Sequence, residues 1–330
     1  MKLRKLLGIA IVFVLVSGTV FGGGQQAAPA GGKKDPKDIK LAAISMNNAN
    51  PWCLTAVLGF EARCKELGIQ CLKIDSQYKI DKQVNDIETL INDKYDGFTF
   101  MPIDQNATNA VVEAAKKAGM ATASIAQPQD NANLIYTLDE YQYGLAIGTQ
   151  AGEWIRDNLG GRAKVAIISQ DNVEAVIARG DGVQDGILKA APNANIVSRQ
   201  AGDYPEKGQQ IIESVLAAHP DLNVVVGTND SGAIGGYQAM VTNRKTGPDR
   251  AVFSGDATAE TLNLMKQPNS IYRGTVDLAP WQGGYESAQI LYDWIVSGTI
   301  PSQPKLVMFN PIPVPAADLL SGKYKPVEIK

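Results

Sequence analysis

The chain has 330 residues but a single histidine, His219, and only three cysteines, Cys53, Cys64 and Cys71. That scarcity removes several chemistries at once. One imidazole, at a helix end in the context "AHPDL", cannot assemble a His-based triad. Without a cysteine cluster or a C-x-x-C spacing, no zinc constellation forms either. Phosphate cradles are also missing. No G-x-G-x-x-G follows the first strand and no G-x-x-x-x-G-K-S/T occurs, so dinucleotides and nucleoside triphosphates lack their usual seats. No cofactor and no metal is expected. Positive charge is not in excess, since 31 Lys and Arg stand against 34 Asp and Glu for a net charge of −3. With no basic patch and no helix-turn-helix segment, nucleic acid and anionic membrane are excluded as partners.

The N-terminus carries the one long apolar run. "MKLRK" is basic, "LLGIAIVFVLVSGTV" is apolar, and Val20-Phe21-Gly22 supplies small residues near a cleavage point. This is the anatomy of a secretory signal peptide over residues 1–22, removed from the mature chain. A membrane anchor is the alternative, but about 15 apolar residues fall short of the ~20 that span a bilayer. No cysteine near the cleavage point offers a lipid attachment residue. An exported, soluble protein is expected. Losing Lys2, Arg4 and Lys5 with that segment takes the net charge from −3 to −6. Residues 23–37, rich in Gly, Ala, Gln and Pro, read as a flexible leader. In an oxidising compartment Cys64 and Cys71 are the pair a disulfide would join, but buried free thiols are the preferred reading.

Beyond the leader, strand-like and helix-like stretches alternate. "IKLAAIS", "IQCLKID", "GFTFMP" and "ATASIA" form one strand series, and "AKVAIIS", "ANIVSRQ", "LNVVVGT", "RAVFSGD" and "SIYRGTVD" a second. Between them lie amphipathic helices. Val84, Ile87, Leu90 and Ile91 keep helical spacing, as do Ile211, Ile212, Val215 and Leu216 ahead of Pro220. Nearly continuous apolar strands separated by helices mean parallel sheets covered on both faces. Two such series, about 39–138 and 163–277, make two α/β lobes with a cleft between them. The helix "PWQGGYESAQILYDWIVSG" and the proline-rich tail fall outside both series, and the tail is expected to return as an extended segment.

Ligands in open α/β sheets sit beyond the carboxyl ends of strands. Here those ends carry Asn47, Asn48, Asn50 and Trp52, then Gln127, Gln170, Asp171 and Asn172, then Asp203 and Tyr204, Asn229 and Asp230, Asp256, and Asp277 with Trp281 close behind. Carboxylates accept hydroxyl hydrogens, amides donate and accept, and aromatic faces pack on ring C–H groups, a mixture suited to a small polyhydroxylated ligand. Capping explains single members as well. Asn229 is placed to be a helix N-cap, and Trp52 beside Pro51 to be a packing residue. The acidic pairs admit glycosidase chemistry in principle, but a two-lobed exported chain without insertions for a long substrate suits it poorly, and no enzymatic activity is expected.

Several blocks carry a resemblance: "NNANPWC", "IDSQ", "INDKYDGFTFMPID", "GDYPEKG", "AAHPDLNVVVGTNDSGAIGGYQA" and "VFSGDAT". Across about 38–310 the chain resembles periplasmic sugar-binding proteins of the ribose/galactose/xylose type, the type I solute receptors of ABC importers. The resemblance implies two Rossmann-like doubly wound parallel-sheet lobes joined by three crossovers, near 138–140, 277–279 and 303–305. The N-terminal lobe would be 38–138 plus 279–303, and the C-terminal lobe 139–278 plus 304–330. It implies ligand residues at Asn50, Trp52, Tyr204, Asn229, Asp256 and Asp277. After the fourth strand Ile125 and Ala126 replace a charged pair of the family, leaving Gln127 as the nearest polar group. Ile177 stands where a ligand arginine is usual, and Cys53 where a second aromatic is. Two arginines lost and a carboxylate gained point to a neutral monosaccharide or sugar alcohol, with a small cation as the alternative. The implied setting is a periplasmic monomer that serves a membrane permease, with a chemoreceptor or sensor kinase as a second kind of partner.

Overall fold

The computed structural model describes residues 34–327. The expected signal peptide and leader residues 23–33 lie outside the described residues.

The first lobe alternates β1 (Lys40–Ser45), α1 (Pro51–Leu67), β2 (Gln70–Asp75), α2 (Ile80–Asn92), β3 (Gly97–Phe100), α3 (Gln105–Lys117), β4 (Ala121–Ala126) and β5 (Leu134–Thr137). The second runs through α4 (Glu140–Leu159), β6 (Lys164–Ser169), α5 (Ile177–Ala190), β7 (Asn195–Ala201), α6 (Pro205–Ala218) and β8 (Val224–Gly227). It continues with α7 (Asp230–Thr242), β9 (Ala251–Phe253), α8 (Ala259–Met265) and β10 (Tyr272–Asp277). The chain then returns to the first lobe with α9 (Pro280–Ser297) and β11 (Lys305–Met308), and to the second with β12 (Ile312–Pro315) and α10 (Ala316–Leu320).

The sheet orders are β11-β5-β4-β3-β1-β2 and β12-β10-β9-β8-β6-β7. Every pairing is parallel except that of β12 with β10. Central strands such as Val224–Gly227 are buried along their whole length, as covering both faces requires, whereas the edge strand β2 is half exposed. Helix α2 buries Ile87 and Leu90, and α6 buries Ile211, Ile212, Val215 and Leu216, the residues whose helical spacing marks an inward face.

The third crossing differs from the sequence-based expectation. Residues 305–308 pair with Leu134–Thr137 of the first sheet, so the chain changes lobe at 309–311 rather than at 303–305. Phe309 explains the shift. Its ring lies 4.6 Å from that of Tyr136 and 5.7 Å from that of Trp52, and burying it in the first lobe draws β11 along. The prolines of "PIPVP" then fall on β12, an edge strand, where a missing N–H costs least. Cys53, Cys64 and Cys71 are free thiols, the first two buried.

Three helix pairs approach closely along stripes of small residues. Gly59 and Gly284 bring α1 onto α9, Gly144 and Gly148 bring α4 onto α5, and Gly208 and Gly235 bring α6 onto α7. A methyl group on Gly148 would fall well inside contact distance of the Val183 carbonyl oxygen, which is backbone and cannot rotate away. Gly148→Ala should therefore destabilise the second lobe by about 1–3 kcal/mol through overpacking. Chemical denaturation of the two proteins measures it, and an unchanged midpoint would show that α4 and α5 part without cost.

Candidate functional site

The first wall is the start of α1. Asn50 is its N-cap, accepting from the Trp52 N–H at 2.9 Å and the Cys53 N–H at 3.4 Å, and Pro51 takes the first helical position, where no N–H is needed. This geometry turns the Trp52 indole toward the cleft. Its edge meets Phe309, and its Nε1 is buried with no acceptor among the described residues.

The second wall follows β9. Asp256 and Ala257 both adopt positive φ, 111° and 52°, a strained path for non-glycine residues that must be held from outside. The hold comes from Asp230, buried at the start of α7. Its carboxylate accepts from the Thr258 N–H at 2.6 Å, from the Thr275 hydroxyl at 2.9 Å and from the Ser254 hydroxyl. Asp256 in turn accepts from the Tyr143 hydroxyl at 3.1 Å and the Asp230 N–H at 3.3 Å. Burial raises the Asp256 pKa to about 7, the neighbouring Asp230 charge adds to the rise, and Arg179 opposes it. Arg179 is itself committed: it donates to Glu140 at 2.6 Å and lies over the Tyr143 ring at 4.9 Å.

The third wall is the second crossing. Asp277 accepts from the Ala279 N–H at 2.7 Å through one oxygen and from the Tyr324 hydroxyl at 2.8 Å through the other. Burial raises its pKa, against the pull of these two donors. Trp281, four residues on, stacks against Tyr285.

Trp52, Asp256 and Asp277 thus share one cavity of about 600 Å³, with Thr258, Trp281 and Tyr324 also in its lining. The other four sequence-expected residues do not line it. Asn50 is exposed and capping. Asn229 caps α7 through its oxygen and donates to the Asp203 carbonyl through its nitrogen, so both ends of its amide are used. Gln127 is exposed after the turn at Ala126, and Tyr204, 53% exposed, precedes α6. Sequence reasoning missed Tyr324, a lone aromatic in "SGKYKP" with no periodic neighbour to mark it. It also missed Tyr143 as the partner of Asp256, because a tyrosine inside α4 reads as core. Among the described residues no group of His, Cys, Asp or Glu is arranged to hold a metal ion.

A family model described as a periplasmic binding protein domain matches residues 41–298. A ribose import binding protein of Bacillus subtilis is 28% identical over 247 residues, 73% of this chain and 77% of that protein. A xylitol-binding protein of Mycolicibacterium smegmatis is 21% identical over 78% of this chain and 74% of its own length. Among solved structures, an arabinose-binding protein from Geobacillus stearothermophilus superposes with a TM-score of 0.74 at 21% identity, covering 86% of this chain and 99% of that one. A ribose ABC transporter protein from Conexibacter woesei gives 0.74 at 18% identity, covering 88% and 96%.

The Asp256 carboxyl predicts a pH dependence. Folding raises its pKa from the ~3.9 of a free aspartate to about 7, so across that window the folded chain keeps a proton the unfolded chain has lost. Its contribution to stability is complete below pH ~4 and is lost as pH rises through about 7. The melting temperature of Asp256→Asn should accordingly gain on that of the unaltered chain between pH 5 and pH 8. Parallel melting curves across that range would show that the group is ionised throughout.

Proposed function

Because the chain belongs to the periplasmic binding protein domain family, we propose that it is the solute receptor of an ABC importer and captures a neutral monosaccharide or sugar alcohol between its lobes. The observation that carries this reading is the convergence of Trp52, Asp256 and Asp277, from the first lobe, the second lobe and the crossing between them, on one cavity. The carboxyls accept sugar hydroxyls, and aromatic faces receive the ring C–H groups. Relatives named for ribose and xylitol, and fold neighbours solved with D-arabinose and D-allose, support the ligand class.

Asn50, Gln127 and Tyr204, outside the cavity lining, would reach the ligand when the lobes close by bending at the three crossings, and the closed surface is what a permease would read. Export to the periplasm and a monomeric state belong to the same reading. The cationic alternative is weaker, since Lys323 and Lys325 line the cavity beside the two carboxylates. Catalysis is weaker too. The raised pKa values of Asp256 and Asp277 arise first from burial, and each carboxyl is held by protein donors, which leaves no free pair for acid and base work. Micromolar capture corresponds to about −8 kcal/mol, within reach of two carboxyls and one stacking face.

A thermal-shift screen with D-ribose, L-arabinose, D-allose and xylitol tests the proposal. A ligand at a hundred times its Kd should raise the melting temperature by about 4 °C for a chain of this size. Asp256→Ala should abolish that shift. A response to small amines alone would sink the sugar reading.

A further inference from the structure

The C-terminal segment does not end where the second sheet is complete. After β12 and α10 the chain turns at Gly322, which has φ +74°, and comes back toward the cleft. It is anchored on the way. Leu319 is buried in the second-lobe core, the Tyr324 N–H donates to the Asp318 carbonyl at 3.0 Å, and Lys323 pairs with Asp318 at 2.8 Å. The Tyr324 ring packs partly against the same core, so its position is set by burial and not by the phenol alone. From there the phenol reaches Asp277, and residues 323–327 line the cavity that Trp52 and Asp256 share.

The Asp277 carboxylate is consequently held at both oxygens. The Ala279 N–H fixes one and the Tyr324 O–H the other, so the carboxylate plane cannot rotate and the remaining lone pairs keep one direction. We infer that Tyr324 is a positioning residue of the ligand site, orienting Asp277 for a sugar hydroxyl, and that the C-terminal segment is a wall of that site. The inference rests on the receptor reading given above. Holding an acceptor before the ligand arrives spares the ordering that binding would otherwise have to impose. The side chains of Lys323, Lys325 and Asp256 share the cavity with this pair and are the other charged groups that face it.

Two measurements on the full chain test it, and the first needs no ligand. Carbon-13 NMR of the aspartate carboxyls follows Asp277, identified by the signal that Asp277→Asn removes. Tyr324→Phe takes away a donor that favours the charged form, so the Asp277 midpoint should move up. An unmoved midpoint overturns the inference whatever the protein binds. The second is calorimetric titration with D-ribose, L-arabinose, D-allose and xylitol. Tyr324→Phe keeps the ring, and so the wall, yet should weaken the sugar that binds by about tenfold, the effect of a hydrogen bond to a charged group. In the Asp277→Asn background the same change should cost nothing further, because Tyr324 acts through Asp277. Unchanged or tighter binding by Tyr324→Phe, or losses that add in the double variant, would overturn the positioning role while leaving the receptor reading intact. Failure of the unaltered chain to bind any of the four sugars would overturn both.

Discussion

The carboxylate of Asp230 gathers the ends of three strands of the second lobe. It stands just past β8, accepts from Ser254 at the end of β9 and from Thr275 in β10, and receives the N–H of Thr258 from the loop between them. A buried anion is costly unless fully hydrogen-bonded, and here the donors come from segments distant in the chain, so the charge can be satisfied only when those segments are assembled. The loop that Asp230 restrains is the one that takes positive φ at Asp256 and Ala257. The shape of the second wall depends on this one group, and so does the electrostatics of its neighbour. Two carboxyls this close inside protein cannot both ionise freely, and Asp256 keeps its proton to a higher pH.

Arg179 limits how far that effect goes. Buried against Tyr143 and paired with Glu140, it lowers the cost of negative charge at Asp256 without entering the cavity. Asp256 therefore holds its proton to a higher pH than a free aspartate, by an amount that Arg179 keeps in check. Around this centre the two lobes are kept compact by the same device used three times, a stripe of small residues that lets one helix lie on the backbone of the next. The crossings between the lobes are, by contrast, short, at residues 138–139, 278–279 and 309–311.

Much of the fold was legible before any coordinates. The helical spacing of Ile87 and Leu90 in α2, or of Ile211 through Leu216 in α6, and the unbroken apolar strands, announce covered parallel sheets because burial on both faces leaves no other composition. Part of the candidate site was legible too, since strand ends are local features: Trp52 lies at the start of the helix that follows β1, Asp256 in the loop after β9, and Asp277 at the last position of β10. The capping role of Asn229 was equally readable, as a cap depends only on the three residues that follow it.

Other features had no local signal. Which strand-end residues share a cavity depends on how the lobes meet. The third crossing moved because Phe309 finds Tyr136 and Trp52, partners far from it in the chain. Tyr324 reaches Asp277 across 47 positions, and Tyr143 reaches Asp256 across 113, separations over which no periodic pattern operates. The sequence by itself determined the class of fold, the order of its elements and the chemistry offered at the strand tips, because these follow from burial patterns read along the chain. Only the tertiary structure decided which of those tips converge, which carboxyls keep their protons and which residue from the tail joins them, because each of these is set by long-range packing and by the low dielectric that packing creates.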